Sequence, residues 1–288
     1  MENYSERLRS ALRLFDEADA YLILAGAGAA YEGGLESYGA LLYEKFSDLA
    51  QKYMLTDLNE GFSLLPEHAL PVFYSRYYSA CIQDAPQSRL HTDLFALVRR
   101  KPHFLAQFTL DSLCEKAGFA QKNILFASGS LRYLQCPNAC RELVLPFVPG
   151  APFPRCPVCG RALVPNLRLF GDKFVPTRQY GERLAAQARF IGRAKRLLIF
   201  ELGCSANGRL GANAAIVSDM LMRSNENFHV LRINKYEAFA LPGLERQTLL
   251  FDEQIGKVLR DMLALRPARR RGRPKYSPPA RRQNGFPQ

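Results

Sequence analysis

Four of the seven cysteines form two close pairs that could hold a metal ion. Cys136 and Cys140 form a CxxxC pair, Cys156 and Cys159 form a CxxC pair, and fifteen residues lie between the pairs. Such pairs can present four thiolates to one zinc ion, with sulfurs ~3.5–4 Å apart and Zn–S bonds of ~2.3 Å. Four thiolates leave no open position for water, so we predict a structural zinc ion that does no chemistry. The alternative is a set of reduced cysteines without metal.

Two glycine-rich turns could approach the phosphates of a nucleotide. Residues 26–28 (GAG) follow the apolar run 21–24, and residues 203–208 (GCSANG) follow the apolar run 197–203. A buried strand that leads into such a turn and then a helix is typical of nucleotide-binding units. The spacing is not the GxGxxG of dehydrogenases, because position 31 is tyrosine. Tight packing without a ligand is the alternative explanation.

The segments around these turns alternate between strand and helix patterns. Apolar residues at helical spacing predict helices over 5–16, 91–100, 213–223 and 252–264. Short apolar runs predict strands over 21–24, 103–110, 197–203 and 228–234. Residues 36–90 lack strand alternation and are interpreted as helices and loops. Strands that alternate with helices predict an α/β fold with a mainly parallel sheet.

The composition is that of a soluble globular chain. The chain has 288 residues, of which 48% are apolar and 23% are charged, and this length can bury a sizeable core. No apolar run approaches the ~18–20 residues that span a bilayer, so we expect no membrane association. The N-terminal stretch is charged and lacks the apolar core of a secretory signal. We therefore expect a cytoplasmic protein.

Most of the excess positive charge lies at the C-terminal end. The net charge is +12, and residues 266–288 hold eight cations and no acid. This proline-rich segment is predicted to be disordered when alone. Its RGRP string (271–274) resembles an AT-hook, which would place two arginines in the minor groove of DNA. The alternative is a generic basic tail that binds polyanions or aids solubility, so a nucleic-acid partner is one possibility for 266–288.

Six segments, in order along the chain, resemble motifs of the sirtuin family. They are 26–38 (GAGAAYEGGLESY), 108–118 (FTLDSLCEKAG), 126–130 (FASGS), 164–172 (VPNLRLFGD), 201–205 (ELGCS) and 232–234 (RIN). They surround the four-cysteine module and span roughly residues 10–260. The VPNxR string and the altered active site are most similar to macrodomain-linked microbial sirtuins.

The resemblance implies a Rossmann-like parallel-sheet domain with a small zinc-binding and helical domain. The sirtuin-like domain would cover 1–265 and the basic tail 266–288. Within the domain, the large part would comprise about 5–35, 90–130 and 170–265, the helical part about 36–89, and the zinc module about 131–169. NAD would lie in the cleft between the large and small parts, and a protein would be the substrate.

The resemblance also assigns cofactor-binding roles. The residues that would approach the pyrophosphate are Gly26, Ala27 and Gly28. Those on the phosphate and ribose side are Gly203, Cys204 and Ser205. Asn234 would face the adenosine ribose, and Glu32 matches the acid of the opening motif.

Two substitutions alter the catalytic set that the family uses. Ser128 stands where sirtuin deacylases have the histidine that acts as general base, and Thr109 stands where they have an asparagine. Asp111 is retained. A serine hydroxyl cannot accept a proton near neutral pH as imidazole can, and the loss of a general base costs ~10²–10⁴-fold.

Cleavage of the bond between nicotinamide and ribose needs no general base, whereas deacylation does. The resemblance therefore favours protein ADP-ribosyl transfer over deacylation. A catalytically inactive NAD-binding scaffold, tethered to DNA by its tail, is the alternative. A zinc-dependent DNA-binding module is a third possibility, but it leaves both glycine turns unexplained.

Overall fold

The computed structural model describes residues 3–140, 143–168, 173–205 and 212–266. The α-helices in these ranges are α1 (Tyr4–Glu17), α2 (Ala27–Glu32), α3 (Tyr38–Lys45), α4 (Ser47–Tyr53), α5 (Gly61–Leu64), α6 (Leu70–Tyr78), α7 (Arg89–Val98), α8 (Leu113–Lys116), α9 (Arg178–Arg193), α10 (Ala212–Ser224) and α11 (Ile255–Leu265). The strands are β1 (Ala20–Ala25), β2 (His103–Gln107), β3 (Ile124–Phe126), β4 (Gly129–Gln135), β5 (Val144–Pro146), β6 (Val164–Leu167), β7 (Leu197–Leu202), β8 (His229–Ile233) and β9 (Thr248–Phe251).

Six parallel strands form the large sheet, in the order β3-β2-β1-β7-β8-β9. Every residue of β1 and β7 is buried, which explains why both strands are continuous apolar runs. Side chains of α1, α7 and α11 pack on one face of the sheet, and side chains of α9 and α10 pack on the other. The predicted α/β class with a Rossmann-like parallel sheet is confirmed.

The direction in which strands are added to the sheet changes between β1 and β7. The chain places β2 and β3 on one side of β1, and then places β7, β8 and β9 on its other side. After β1 the chain enters α2, which packs on one face, and after β7 it reaches α10 on the opposite face. The carboxyl ends of β1 and β7 therefore border a crevice, which is where open α/β sheets bind their ligands.

A second region combines short helices with a small antiparallel sheet. Its strands are ordered β5-β4-β6. Helices α3 to α6 share one apolar cluster with this sheet, and the Tyr74 ring of α6 lies 4.4 Å from that of Phe147 and 5.6 Å from that of Phe153. The Tyr74 hydroxyl donates to the Leu131 carbonyl of β4. The small helical region beside a cysteine module agrees with the predicted fold class, whereas the domain boundaries stay predictions.

Two predicted boundaries were wrong at the N-terminal helix and at β2. Helix α1 begins at Tyr4, before the predicted start at 5, because the Asn3 side chain accepts from the Glu6 amide while the Glu6 carboxylate accepts from the Asn3 amide. Strand β2 ends at Gln107 and not at 110. There the Gln107 amide group donates to the Asp111 carbonyl at 2.6 Å, which folds 108–111 into a turn.

In two other helices, hydrogen bonds from side chains to the first turn fix where the helix begins. Helix α7 begins at Arg89, before the predicted start at 91, because Ser88 is its N-cap. Helix α11 begins at Ile255 and not at 252. The Glu32 carboxylate accepts from the amides of Ile255 at 2.8 Å and Gly256 at 2.7 Å, and it thereby fixes the first turn of α11.

Within the described ranges, no helix is long and apolar enough to cross a membrane. The predicted AT-hook-like tail lies outside the described residues, apart from Arg266. Residues 206–208 of the second glycine turn and 169–172 of the VPNLRLFGD segment also lie outside them.

Candidate functional site

The two glycine turns meet at the carboxyl edge of the large sheet. The Gly26 amide donates to the Leu202 carbonyl at 2.9 Å, and the Gly28 amide donates to the Gly203 carbonyl at 2.9 Å. A Cβ atom on Gly28 would lie 2.8 Å from the Gly203 Cα, and one on Gly26 would lie 2.5 Å from the Gly203 oxygen. Backbone packs directly on backbone here, so no side chain fits and the crevice floor is main chain. The structure thus brings together the two turns predicted to contact NAD.

Gly203→Ala is expected to lower the free energy of unfolding by about 2–3 kcal/mol. Gly203 has φ +58°, and an added Cβ would lie 2.5 Å from the Ala29 nitrogen. The substitution therefore combines a left-handed backbone with crowding against main chain. Gly243→Ala is the matched control, because Gly243 has φ +84° with open space around it. Urea unfolding should show the larger loss for Gly203→Ala, and equal losses would contradict close packing of the turns.

Three further predicted cofactor residues lie beside this junction. The Asn234 side-chain amide donates to the Cys204 carbonyl at 3.0 Å, so it ties the end of β8 to the turn after β7. The Cys204 thiol is buried 3.4 Å from the Leu24 carbonyl, and burial raises the pKa of this thiol well above its usual value. The Cys204 side chain therefore faces the sheet. The Ser205 hydroxyl donates to the Glu237 carboxylate at 3.1 Å.

Glu32 lies at the end of α2, with both carboxylate oxygens bonded to the first turn of α11. These contacts give it a capping role in the fold. A direct contact between Glu32 and the cofactor stays a prediction. Ala27 begins α2 directly after Gly26.

Asp111 is a buried carboxyl group at the carboxyl end of β2. Its Oδ1 accepts from the Leu113 amide at 2.9 Å, whereas its Oδ2 is buried and has no hydrogen-bond partner among the described residues. Burial raises the pKa of this carboxyl, and the hydrogen bond from the Leu113 amide opposes that shift. The Oε1 of Gln107 is likewise buried without a partner. These two acceptor atoms are thus available to a ligand that donates hydrogen bonds.

Ser128 is buried where β3 leads into β4, close to the β2 turn. Its hydroxyl donates to the Phe108 carbonyl at 3.0 Å. Gly129 follows with φ +87°, and a Cβ there would lie 2.3 Å from the Asn166 oxygen, so this turn also requires glycine. Beside Ser128 is a cavity of about 380 Å³, also lined by Phe108, Arg168 and Ile216.

No histidine accompanies Ser128. The four histidines of the chain are all described: His103 and His229 begin strands at the opposite edge of the sheet, and His68 contacts Tyr53 in the helical region. His91 Nδ1 lies 2.7 Å from the Ser88 hydroxyl, and burial lowers the pKa of its ring to about 4. No histidine is among the residues that line the cavity beside Ser128.

The four predicted metal ligands come together in one cluster. The Sγ atoms of Cys136, Cys140, Cys156 and Cys159 lie within 4.8 Å of one another, and the distance between Cys136 and Cys159 Sγ is 3.7 Å. A tetrahedron with Zn–S bonds of ~2.3 Å has sulfur–sulfur edges of about 3.8 Å. The donor set and its spacing fit a zinc ion.

The sequence interpretation missed a buried ion pair beside the cofactor residues. The Arg232 side chain is 1% exposed, and its Nε lies 2.7 Å from the Glu201 carboxylate. Its Nη2 lies 3.2 Å from Asp219 Oδ1 and from the Ser218 hydroxyl, and its Nη1 donates to the Phe239 carbonyl. The sequence did contain a sign of this pair: Glu201 and Arg232 are single charged residues within the apolar runs LLIFELG and FHVLRIN. These contacts fix the segment after β8, which follows Asn234.

No family model matches the chain. A "Protein ADP-ribosyltransferase" of Staphylococcus aureus (strain Mu50 / ATCC 700699) is 24% identical over 276 residues, covering 88% of this chain and 85% of the relative. A "Probable bifunctional ADP-ribose hydrolase/ADP-ribosyltransferase" of Fusarium oxysporum f. sp. cubense is 26% identical over 253 residues, covering 78% of this chain and 42% of that protein.

The fold is similar to solved Sir2 structures. A Sir2 homologue in complex with NAD superposes with a TM-score of 0.58 at 19% identity, covering 89% of this chain and 92% of the other. Sir2 bound to acetylated peptide gives a TM-score of 0.55 at 14% identity, covering 89% and 97%. The resemblance to sirtuins is thereby confirmed at the level of the fold.

Proposed function

We propose that this chain binds NAD at the carboxyl edge of its large sheet and transfers ADP-ribose to a protein. The observation that carries the proposal is the convergence of the two glycine turns at the point where strand order reverses, next to a buried carboxyl with an unpartnered oxygen. The name of the Staphylococcus relative and the NAD complex of a structural neighbour support the same chemistry.

Bound NAD would supply a ribose carbon that becomes electrophilic as nicotinamide leaves. The turns at Gly26–Gly28 and Gly203 would bring main chain against the pyrophosphate, and Asn234 would hold the ribose side. Asp111 would accept a hydrogen bond from the carboxamide through Oδ2, for which the described part of the chain offers no partner. Burial of Asp111, Thr109 and Ser128 would keep water away from the reacting carbon.

Transfer to a protein is favoured over deacylation by the environment of Ser128. The Ser128 hydroxyl already donates a hydrogen bond to the Phe108 carbonyl, and a hydroxyl is too weak a base to take a proton near neutral pH. The cavity beside Ser128 offers an acceptor protein a route to the site, with an apolar side at Phe108 and Ile216 and a cation at Arg168. The zinc ion would hold the small sheet and take no part in the reaction.

A catalytically inactive NAD-binding scaffold is the second candidate. Thr109 is shorter than the asparagine it replaces, and its carbonyl lies 3.4 Å from the Gln107 side-chain amide in a buried turn. If Thr109 does not position the ribose, binding would persist without turnover. Nicotinamide release and NAD binding, measured on the same preparation, separate the two functions: binding without release above background rejects the transferase.

Asp111→Asn is expected to lower nicotinamide release by about 10²-fold, the effect typical of removing one well-placed polar group. The amide has the same shape and can still accept from the Leu113 amide, so thermal stability should not fall. Glu226→Gln, a carboxylate-to-amide change at an exposed turn, is the control and should leave release unchanged. Unchanged release from Asp111→Asn would show that the turnover comes from a contaminant or from another site.

A further inference from the structure

A small cavity lies where the large sheet, the small sheet and α9 meet. Its lining comes from β3, from β4 and β6, and from the N-cap and first two turns of α9, and its volume is about 100 Å³. None of the predicted cofactor residues lines it. It shares Leu125 and Tyr180 with the cavity beside Ser128, so the two cavities are neighbours. We call it the α9 cavity.

The α9 cavity carries one uncompensated positive charge. Arg183 lines it, is half-buried, and forms neither an ion pair nor a hydrogen bond with another described residue. Arg132 also lines it, but its Nη2 lies 2.7 Å from the Glu115 carboxylate, which balances that charge. No acidic residue is found among the described residues of the lining. The charge of Arg183 is therefore left for a ligand.

Two hydroxyl groups of the lining have protons to donate. Ser130 is 9% exposed, and its hydroxyl accepts from the Arg132 amide at 3.2 Å. The Thr177 hydroxyl accepts from the Tyr180 amide at 2.9 Å. Neither hydroxyl donates to another residue in the described part of the chain. Together with the Arg183 guanidinium they form a set of donors that suits the oxygens of an anion.

The remaining wall and the volume limit what the anion can be. The wall includes the three apolar residues of β3, Ile124–Phe126. A phosphate ion has no apolar part to place against them, whereas the alkyl chain of a carboxylate does. An apolar cavity of about 150 Å³ holds benzene, so a space of this size admits a ligand of roughly four to six non-hydrogen atoms. Nucleotides and nucleic acids are far larger.

We propose that the α9 cavity binds a short-chain monocarboxylate, of the size of acetate to butyrate. The carboxylate oxygens accept from Arg183 and from the hydroxyls of Ser130 and Thr177, and the alkyl chain lies against β3. A single negative charge matches the single uncompensated cation. The site does not depend on the reaction of NAD, so its binding can be measured without the cofactor.

The test is isothermal titration calorimetry of the full-length chain at neutral pH with acetate, propionate, butyrate, octanoate and inorganic phosphate. We expect one site per chain, with the tightest binding for propionate or butyrate. Butyramide has nearly the same shape without the charge, and it should bind at least about tenfold more weakly than butyrate. The absence of saturable butyrate binding would overturn the proposal. Equal binding of butyramide, or tighter binding of octanoate or phosphate, would overturn it as well.

Arg183→Gln places the bound acid in this cavity. It should weaken butyrate binding by about 10- to 100-fold, because a hydrogen bond to a charged group is lost. Arg189→Gln is the matched control, since Arg189 lies six residues further along the same helix and is exposed. It lines a separate cavity with Lys122, Arg193 and Lys195. The control should change the affinity by less than about twofold, and equal losses from both variants would show that net charge alone matters.

Ser130→Ala tests the site without changing its charge. The substitution removes one hydroxyl donor and leaves Arg183 in place, so butyrate affinity should fall by about three- to tenfold. It also keeps the proposal testable if Arg183→Gln lowers the stability of the chain. Unchanged butyrate affinity in either variant would place the acid elsewhere and would overturn the site.

Discussion

Cys156→Ala is expected to abolish zinc binding at the four-cysteine cluster and to unfold the small sheet. Three remaining thiolates cannot complete the tetrahedral shell, and structural zinc binding contributes ~10–16 kcal/mol in small zinc-finger peptides. Cys136 and Cys156 belong to the same apolar cluster as α3 to α6, so loss of the ion should loosen that cluster as well. The zinc content measured by elemental analysis should fall from one ion per chain to near zero, and the main unfolding transition should move to a markedly lower temperature.

Cys81→Ala is the matched control for the metal. Cys81 is 1% exposed and lies outside the four-cysteine cluster, so this change should cost some stability through a small cavity while zinc content stays at one per chain. Full zinc content in Cys156→Ala, or a wild-type chain that contains no zinc when purified in its presence, would contradict the metal site.

Arg232→Met is expected to lower the free energy of unfolding by about 3–5 kcal/mol. The change leaves the Glu201 carboxylate, 2% exposed, and the Asp219 carboxylate, 10% exposed, without their cation. Removing one partner of a buried ion pair is costly because an uncompensated charge stays buried. The Phe239 carbonyl also loses its donor, so the segment after β8 should become less ordered. Denaturant unfolding measures the loss.

A second substitution separates the charge from the packing. In Arg232→Met/Glu201→Gln one of the buried carboxylates is replaced by a neutral amide, so part of the lost stability should return. Arg246→Met, at an exposed position in a short 3-10 helix, is the control for loss of an arginine and should change the free energy of unfolding by less than about 0.5 kcal/mol. A loss of less than 1 kcal/mol in Arg232→Met would show that the pair contributes little.

Substitutions that lower stability at Arg232 or Glu32 can also affect cofactor binding at the carboxyl edge. Arg232 bonds the segment that follows Asn234, and Glu32 bonds the first turn of α11 while lying next to the first glycine turn. Substitutions at either position can therefore displace predicted cofactor residues without touching the cofactor. NAD affinity, measured next to the unfolding free energy, distinguishes such displacement from global loss of structure.

The central strands and the cysteine cluster could be predicted from the sequence because each depends on residues that lie close together along the chain. Continuous apolar runs predicted β1 and β7, since a strand buried on both faces has no polar side. The cysteine spacing predicted a four-thiolate cluster, because two close pairs can place four sulfurs around one centre. The order of six motifs predicted the Sir2 fold. Helix boundaries were less accurate, because caps such as Asn3 and Ser88 depend on backbone geometry at single residues.

The small strands and the helix α9 were not predicted. Strands β3, β5 and β9 have three, three and four residues, too short for a recognisable alternation of apolar and polar side chains. Helix α9 was overlooked although its sequence is amphipathic; its apolar side chains, such as Phe190 and Ile191, are only partly buried against the sheet.

The sequence by itself determined the residue types of this protein: glycines where main chain must approach main chain, four thiolates at ligand spacing, and a serine where the family has a base. Only the tertiary structure decided what each group faces. It placed Arg232 against Glu201 in the interior, left Asp111 Oδ2 without a partner among the described residues, bonded Glu32 to the first turn of α11, and brought Lys122 to the same cavity as Arg189, Arg193 and Lys195. The pairs of Arg232 with Glu201 and of Glu32 with Ile255 join residues 31 and 223 positions apart, and a local pattern carries no information about partners at such separations.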